Sequence, residues 1–322
     1  MDTRKLTESA MLSALFVVAG IFFISSVIGY QIYLDLVVPI LITLIYLRCD
    51  FKYTLMSAIT SLVLITFVFG NPAIGIWMLQ NITIGFLCGF LITRESRLFD
   101  DIFYCSLFAA VILVFVDVFF SGIIGYSFIS EAQGYLVYIE GSEALKEVIF
   151  YLILAALPLG TVIMTYLGGL FLGKKLRLLN ENGLRKFLYV RKFKRYGNLQ
   201  YCSEKTIFAG IIYVAFMKLI GRNNIFFKFT YLKTVLITME YIILYFILKD
   251  SYSLVCNFIY KVSGKGGIVM IFQMAALYSL VCYFTVTALI LTIGGLVIDK
   301  RFKVRENSDK FLNRINLKAE LC

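Results

Sequence analysis

The chain contains no histidine. Imidazole metal ligands, histidine general bases and histidine proton relays are therefore excluded. Its seven cysteines, at positions 49, 88, 105, 202, 256, 282 and 322, include no Cys-x-x-Cys pair. That distribution argues against a disulfide framework or a zinc site, so neither metal nor cofactor is expected. The stretch Gly264-Lys265-Gly266-Gly267 is rich in glycine but lacks the preceding strand and the Gly-Lys-Ser/Thr ending of a phosphate loop. It reads as a hinge, and the chain is not its own ATPase. No internal repeat and no low-complexity segment is visible. Charged residues are scarce, at 16% of 322.

What fills the chain instead is apolar. Hydrophobic residues make up 60% and the mean hydropathy is +0.86, more than one soluble core of this size can hide. A bilayer-crossing helix needs roughly 20 mostly apolar residues, and only helices or closed barrels satisfy their own backbone inside lipid. The runs here are continuous rather than alternating, so helices are expected over barrel strands. The fold class expected is all-α, a polytopic transmembrane bundle in the lipid bilayer of a cell membrane.

Eight spans can be laid along the sequence, at about 8–28, 32–47, 53–70, 73–93, 102–125, 148–173, 206–221 and 229–248. Asn71-Pro72 separates the third from the fourth, where proline's missing donor suits a helix start. The stretch 251–299 is ambiguous. Ser263 to Gly267 should break it into a short helix and a long one, adding zero or two crossings, so the total is eight or ten. The expected organisation is a six-span region 1–173, a basic loop 174–205, further membrane helices 206–299 and a basic tail 300–322. The first apolar run follows Arg4 and Lys5 but has no convincing cleavage site, so it reads as a retained helix rather than a signal peptide.

Charge placement orients the chain. Residues 174, 175, 177, 185, 186, 191, 192, 194, 195 and 205 are all Lys or Arg, against Glu181 and Glu204. Between Gly125 and Ile149 the balance reverses, with Glu131, Glu140, Glu143 and Glu147 against Lys146. Lys and Arg accumulate on cytoplasmic loops, so both termini and the 174–205 loop are expected inside and the acidic loop outside. This rule accounts for the basic run without a nucleic-acid partner, and attraction to anionic headgroups is a secondary effect.

Intramembrane polar groups are costly and usually face a cavity or a partner. Asp117, Gln80 and Asn81 fall at similar depth from the outer ends of their spans, and Asp35, Gln31 and Asn71 lie nearer that surface. Asp35, Asn71, Gln80, Asn81 and Asp117 thus form a candidate solute pocket, the alternative being polar contacts that only hold helices together. Glu240 sits near the middle of its span, where it could serve a coupled proton, although pairing with Lys218 or Lys233 is the favoured expectation. Small residues one turn apart at Ala10/Ala14, Gly85/Gly89 and Gly169/Gly173 offer faces for close helix approach. Trp77 and many of the 21 tyrosines read as interface anchors.

The opening Thr3-Arg-Lys-Leu-Thr-Glu-Ser-Ala-Met-Leu-Ser-Ala-Leu15 resembles the start of the YybS-like family of bacterial membrane proteins, and also the substrate-binding (S) components of energy-coupling factor transporters. Phe272-Gln273-Met274-Ala275 is similar to a Gln-Gly-containing late helix of that family, with Met in place of the glycine. Gly294-Gly295-Leu-Val-Ile-Asp299-Lys-Arg301 resembles the Gly…Asp…Arg end of its final helix. The resemblance implies a six-helix S-component-like front half that binds an unknown small solute from outside. It also implies that Ala10 and Ala14 dock on a transmembrane coupling subunit, with separate ABC ATPases supplying energy. The competing reading is a non-transporting scaffold or envelope-associated factor whose basic loop binds a cytoplasmic partner. An enzyme is not expected, because nothing brings Asp117 and Glu240 within mutual reach for acid–base work.

Overall fold

The computed structural model describes residues 3–26, 33–193, 197–220, 230–308 and 310. Gln31, Lys194, Arg195 and the tail from 311 onward lie outside the described residues. Every regular element among those described is helical. In chain order they are α1 (Thr3–Ser25), a π-helical turn (Tyr33–Val37), α2 (Val38–Phe69), α3 (Pro72–Thr93), α4 (Leu98–Ile124) and α5 (Phe128–Leu136). There follow α6 (Glu143–Lys175), α7 (Glu181–Arg191), a 3₁₀ turn (Gly197–Leu199), α8 (Glu204–Ile220), α9 (Thr230–Ser263), α10 (Gly266–Cys282) and α11 (Phe284–Phe302).

Five of these, α1, α3, α4, α6 and α9, are long and apolar enough to cross a bilayer. Large apolar side chains such as Phe67, Phe119 and Phe208 stand exposed on the surface, as a lipid solvent requires. The chain is a multi-pass membrane protein. Its five qualifying helices stop short of the eight to ten expected crossings. Helices α8 and α10 have 17 residues each, about 25 Å against a hydrocarbon core of roughly 30 Å.

Packing divides the chain into two compact units. One comprises Met1–Ser96, Asp101–Phe187 and Leu219–Ile242, the other Arg97–Asp100, Leu188–Lys218 and Ile243–Cys322. In the first, α2 packs most extensively against α3 and next against α1. The expected second and third spans are joined in α2, which is broken at Asp50 by a left-handed backbone (φ 66°, ψ 172°). The α1–α2 seam is polar: Ser13 Oγ lies 2.7 Å from Ser61 Oγ, and Ser57 Oγ donates to the Ser9 carbonyl at 3.4 Å. The α2–α3 seam depends on glycine. A Cβ at Gly85 would lie 2.5 Å from the Pro39 carbonyl oxygen, and one at Gly89 would lie 2.8 Å from Tyr46. Gly169 brings α6 equally close to Thr43 of α2, and Thr43 Oγ1 donates to the Pro39 and Gly85 carbonyls at 2.8 and 3.0 Å.

At the opposite end of α3, part of the basic loop folds back as α7. Lys186 is buried and donates to the Leu91 and Arg94 carbonyls at 2.6 and 2.7 Å, to Ser96 Oγ at 3.0 Å and to Asp101 Oδ2 at 2.7 Å. Tyr166 donates to the same carboxylate oxygen at 2.5 Å. Asn180 and Asn182 both donate to the Thr93 carbonyl, at 2.9 and 3.1 Å. The last turn of α3 is thereby capped from a segment some ninety residues away. Burial lowers the Lys186 pKa, opposed by Asp101.

The second unit corrects the expected end of the eighth span at Leu248. Helix α9 continues unbroken for 34 residues, so 251–262 is not a separate helix. Lys249-Asp250 resembles a helix terminus in sequence, but both charges are satisfied inside the unit. Asp250 accepts from the Cys202 amide at 2.7 Å and from Arg305, which also donates to Asp299 at 2.9 Å. Lys249 donates to the Gln200 carbonyl at 2.8 Å and lies over the Phe99 ring. The break at Gly264 (φ 64°) falls where the sequence placed it, while the long apolar run beyond divides again at Tyr283 into α10 and α11. Gly295 packs α11 against Ser251, with a Cβ there 3.1 Å from the Ser251 Cα.

Two outcomes test this packing. Gly85→Val forces α2 and α3 apart and is expected to cost about 1–3 kcal/mol, lowering Tm in mild detergent. Gly122→Ala, where a Cβ meets nothing within 4 Å, should leave Tm unchanged. Lys186→Ala strands buried Asp101, a loss of about 3–5 kcal/mol for a broken buried pair. It should accelerate tryptic cleavage within 174–193 relative to wild type, whereas exposed Lys175→Ala should not.

Candidate functional site

The π-helical turn delivers Asp35 to the start of α2, beside the first half of α3. Asn71 ends the preceding turn by accepting the Ala73 amide at 2.9 Å, and Pro72 occupies the first helical position. From that fixed start, Trp77, Gln80 and Asn81 follow at helical spacing and share one side of α3. Trp77 Nε1 donates to Asp35 Oδ1 at 2.8 Å, and Asn81 Nδ2 donates to the same oxygen at 3.3 Å. Asp35 Oδ2 accepts nothing from the described residues.

A cavity of about 100 Å³ opens beside this carboxylate. It is lined by Asp35, Trp77, Gln80, Asp117, Tyr126 and Phe128, with apolar walls from Leu113, Val116, Ile124 and Leu157. Asp117 is committed at both oxygens, accepting from Ser127 Oγ at 2.9 Å and from the Phe128 amide at 2.6 Å. It holds the N-terminus of α5, where an anion is favoured by the unsatisfied amides and the helix dipole. Tyr126 stacks on Trp77 with ring centroids 6.0 Å apart and planes at 12°. Its hydroxyl donates to Glu131, which also accepts from Tyr135 at 2.7 Å. These two phenol hydrogen bonds hold the Glu131 carboxyl below the usual carboxylate range. The clamp on Tyr126 therefore persists above that lowered pKa and is lost only as pH falls through it.

Of the five residues read as a pocket, Asp35, Gln80 and Asp117 meet at one cavity. Asn81 is buried behind Asp35 and orients it, and Asn71 is a helix cap that does not line the cavity. Trp77 and Tyr126 do line it, although by sequence Trp77 reads as an interface anchor and Tyr126 falls at the start of the acidic loop. The spacing Trp77–Gln80–Asn81 carries the signal for the first, while nothing local marks Tyr126. Ala10 and Ala14 are exposed on α1, on the side away from buried Ser9, Ser13 and Phe16. Glu240 is half-buried beside Tyr241, and Lys233 pairs with Glu147 at 3.7 Å. Among the described residues no three His, Cys, Asp or Glu side chains are grouped to hold a metal ion.

Asp117→Ala should release the start of α5 and unstack Tyr126. Trp77 is the chain's single tryptophan, so its emission reads this site alone. A shifted maximum and increased quenching by acrylamide are expected, with helical content unchanged by circular dichroism. An emission spectrum identical to wild type would separate Asp117 from the cavity. Comparison of the chain with family models, with curated proteins and with solved structures yields no match.

Proposed function

We propose that this chain is a solute-binding membrane subunit of YybS-like type, resembling S components of energy-coupling factor transporters and relying on separate ATPases. The observation that carries the reading is the meeting of Asp35, Gln80 and Asp117, from three separate segments, at one cavity where Asp35 Oδ2 and the Gln80 amide have no partner among the described residues. Among the described residues its lining has two carboxylates, an amide and an aromatic pair, and no Lys or Arg. That chemistry selects a cation: Asp35 supplies charge, Gln80 a hydrogen bond, and Trp77 and Tyr126 a cation–π surface. The cavity is small, at about 100 Å³, so the solute is small, such as a protonated amine. By the positive-inside rule the cavity lies toward the outer face, and the exposed Ala10/Ala14 face of α1 is the docking surface for a coupling subunit.

Two measurements test this. Titration with methylammonium or ethylammonium should change Trp77 emission saturably in wild type and not in Asp35→Asn, and a flat response in wild type counts against a cation site. Affinity purification in mild detergent, with mass spectrometry of proteins and small molecules, should recover a coupling subunit with ABC ATPases, and Ala10→Leu with Ala14→Leu should lose them. Recovery of envelope or signalling proteins alone would favour the scaffold reading.

A further inference from the structure

A second concavity in the same unit is of opposite character. It measures about 550 Å³ and is lined by Tyr46, Phe51, Leu55, Thr83, Phe86, Leu87, Phe90 and Phe108. Phe86 anchors its floor, tilted against Phe51 with centroids 5.6 Å apart and edge-on to Tyr46 at 6.3 Å. Phe51, Phe90 and Phe108 remain exposed. The groove straddles the Asp50 break, with Tyr46 before it and Phe51 and Leu55 after it.

Its extent decides what fits. From Thr83 to Phe90 the wall climbs about 10 Å along α3 at 1.5 Å per residue, and it stops at the end of that helix. A single leaflet's share of the hydrocarbon core is about 15 Å. A spanning helix of a partner would need a complementary seam over roughly the whole 30 Å core, whereas a lipid chain needs one leaflet only. Two basic residues adjoin lining residues along the chain. Arg94 follows the last residue of α3 with its guanidinium 5.8 Å from the Phe90 centroid, and Lys52 follows Phe51. Nearby basic residues on the α1–α2 seam are matched: Arg48 forks onto Glu8 at 2.7 and 2.9 Å, and Lys5 pairs with Asp50. Arg94 and Lys52 are exposed, and neither side chain makes a hydrogen bond or ion pair among the described residues. Exposed Glu95 offsets one of the two charges, leaving these three residues net positive.

We propose that this groove binds an anionic phospholipid of the cytoplasmic leaflet. One acyl chain lies along Phe86, Leu87, Phe90 and Phe108, and the phosphate lies between Arg94 and Lys52. Arginine suits the role because its planar fork matches phosphate oxygens while its face stays on Phe90. The cytoplasmic leaflet is where anionic lipids meet juxtamembrane basic residues.

The probes are phosphatidylglycerol and phosphatidylcholine with the same palmitoyl and oleoyl chains, added to delipidated full-length protein and counted by native mass spectrometry. Wild type should retain phosphatidylglycerol preferentially. Arg94→Ala and Lys52→Ala should each reduce that preference about five-fold, as expected for a juxtamembrane cation, while phosphatidylcholine retention stays unchanged. Leu55→Phe, which fills the groove at an exposed position, should lower retention of both lipids with Tm preserved. Equal retention of the two lipids by wild type would overturn the proposal. So would a preference unaffected by either charge removal, or a stoichiometric membrane protein that Leu55→Phe displaces in place of lipid.

Discussion

The first unit depends on how closely two helical backbones approach at Gly85. With no hydrophobic force to drive helices together in lipid, association rests on van der Waals contact and interhelical hydrogen bonds. Both are present at one level. Gly85 lets the Pro39 carbonyl approach to where a Cβ would sit, and Thr43 then reaches the Gly85 carbonyl. Asn81 lies one turn before Gly85, and Asp35 one turn before Pro39, so the same approach sets the Asn81–Asp35 hydrogen bond. Gly169 repeats the contact on the other side of Thr43. The cavity carboxylate is thus oriented by glycines that do not line the cavity.

Buried charge is used differently. Lys186–Asp101 and Arg305–Asp250–Asp299 each join segments distant in sequence, within their own unit. Such pairs gain little net stability, because desolvation offsets most of the attraction, yet removing one partner is costly. Their effect is therefore selective. Among the many Lys and Arg of the basic loop, Lys186 sits where three oxygens at the end of α3 and one carboxylate oxygen converge. At Arg305, burial opposes the charge, and the two aspartates more than offset it, so its pKa is raised. Each site ties a loop or tail to a helix that the apolar pattern alone would leave unconstrained.

That contrast explains what could be read from the sequence. The helical class, the boundary at Asn71-Pro72 and the hinge at Gly264 follow from local chemistry: continuous apolar runs, a proline, and a glycine at positive φ. The cavity was half legible. Asp35, Gln80 and Asp117 were found because polar groups inside spans are conspicuous, but Asn71 looked the same by composition and is a cap. Tyr126 was invisible because its place depends on Asp117 anchoring α5 and on Glu131 holding its hydroxyl. Lys249-Asp250 misled for a related reason. A charge pair ends a helix only if water is its best partner, and here Gln200, Cys202 and Arg305 are better ones.

The three small-residue pairs complete the argument. All have the same spacing, and sequence alone ranks none above the others. Gly85/Gly89 and Gly169/Gly173 are used up inside the unit, each against a named neighbour on α2 or the following loop. Ala10/Ala14 is not, because α1 turns Ser9 and Ser13 inward to meet Ser57 and Ser61 and leaves the alanines outside among Met11, Leu15 and Val18. The inward face of α1 therefore owes its packing to hydroxyls rather than to small size. Its outward face retains the feature that elsewhere in the unit permits the closest helix approach. A second chain able to use that feature would contact α1 without disturbing the Asp35 cavity, whose polar lining comes from the π-helical turn before α2, from α3, from α4 and from the segment leading into α5. The outward face of α1 and the Asp35 cavity are in that sense separable, and substitutions on one surface should leave the other intact.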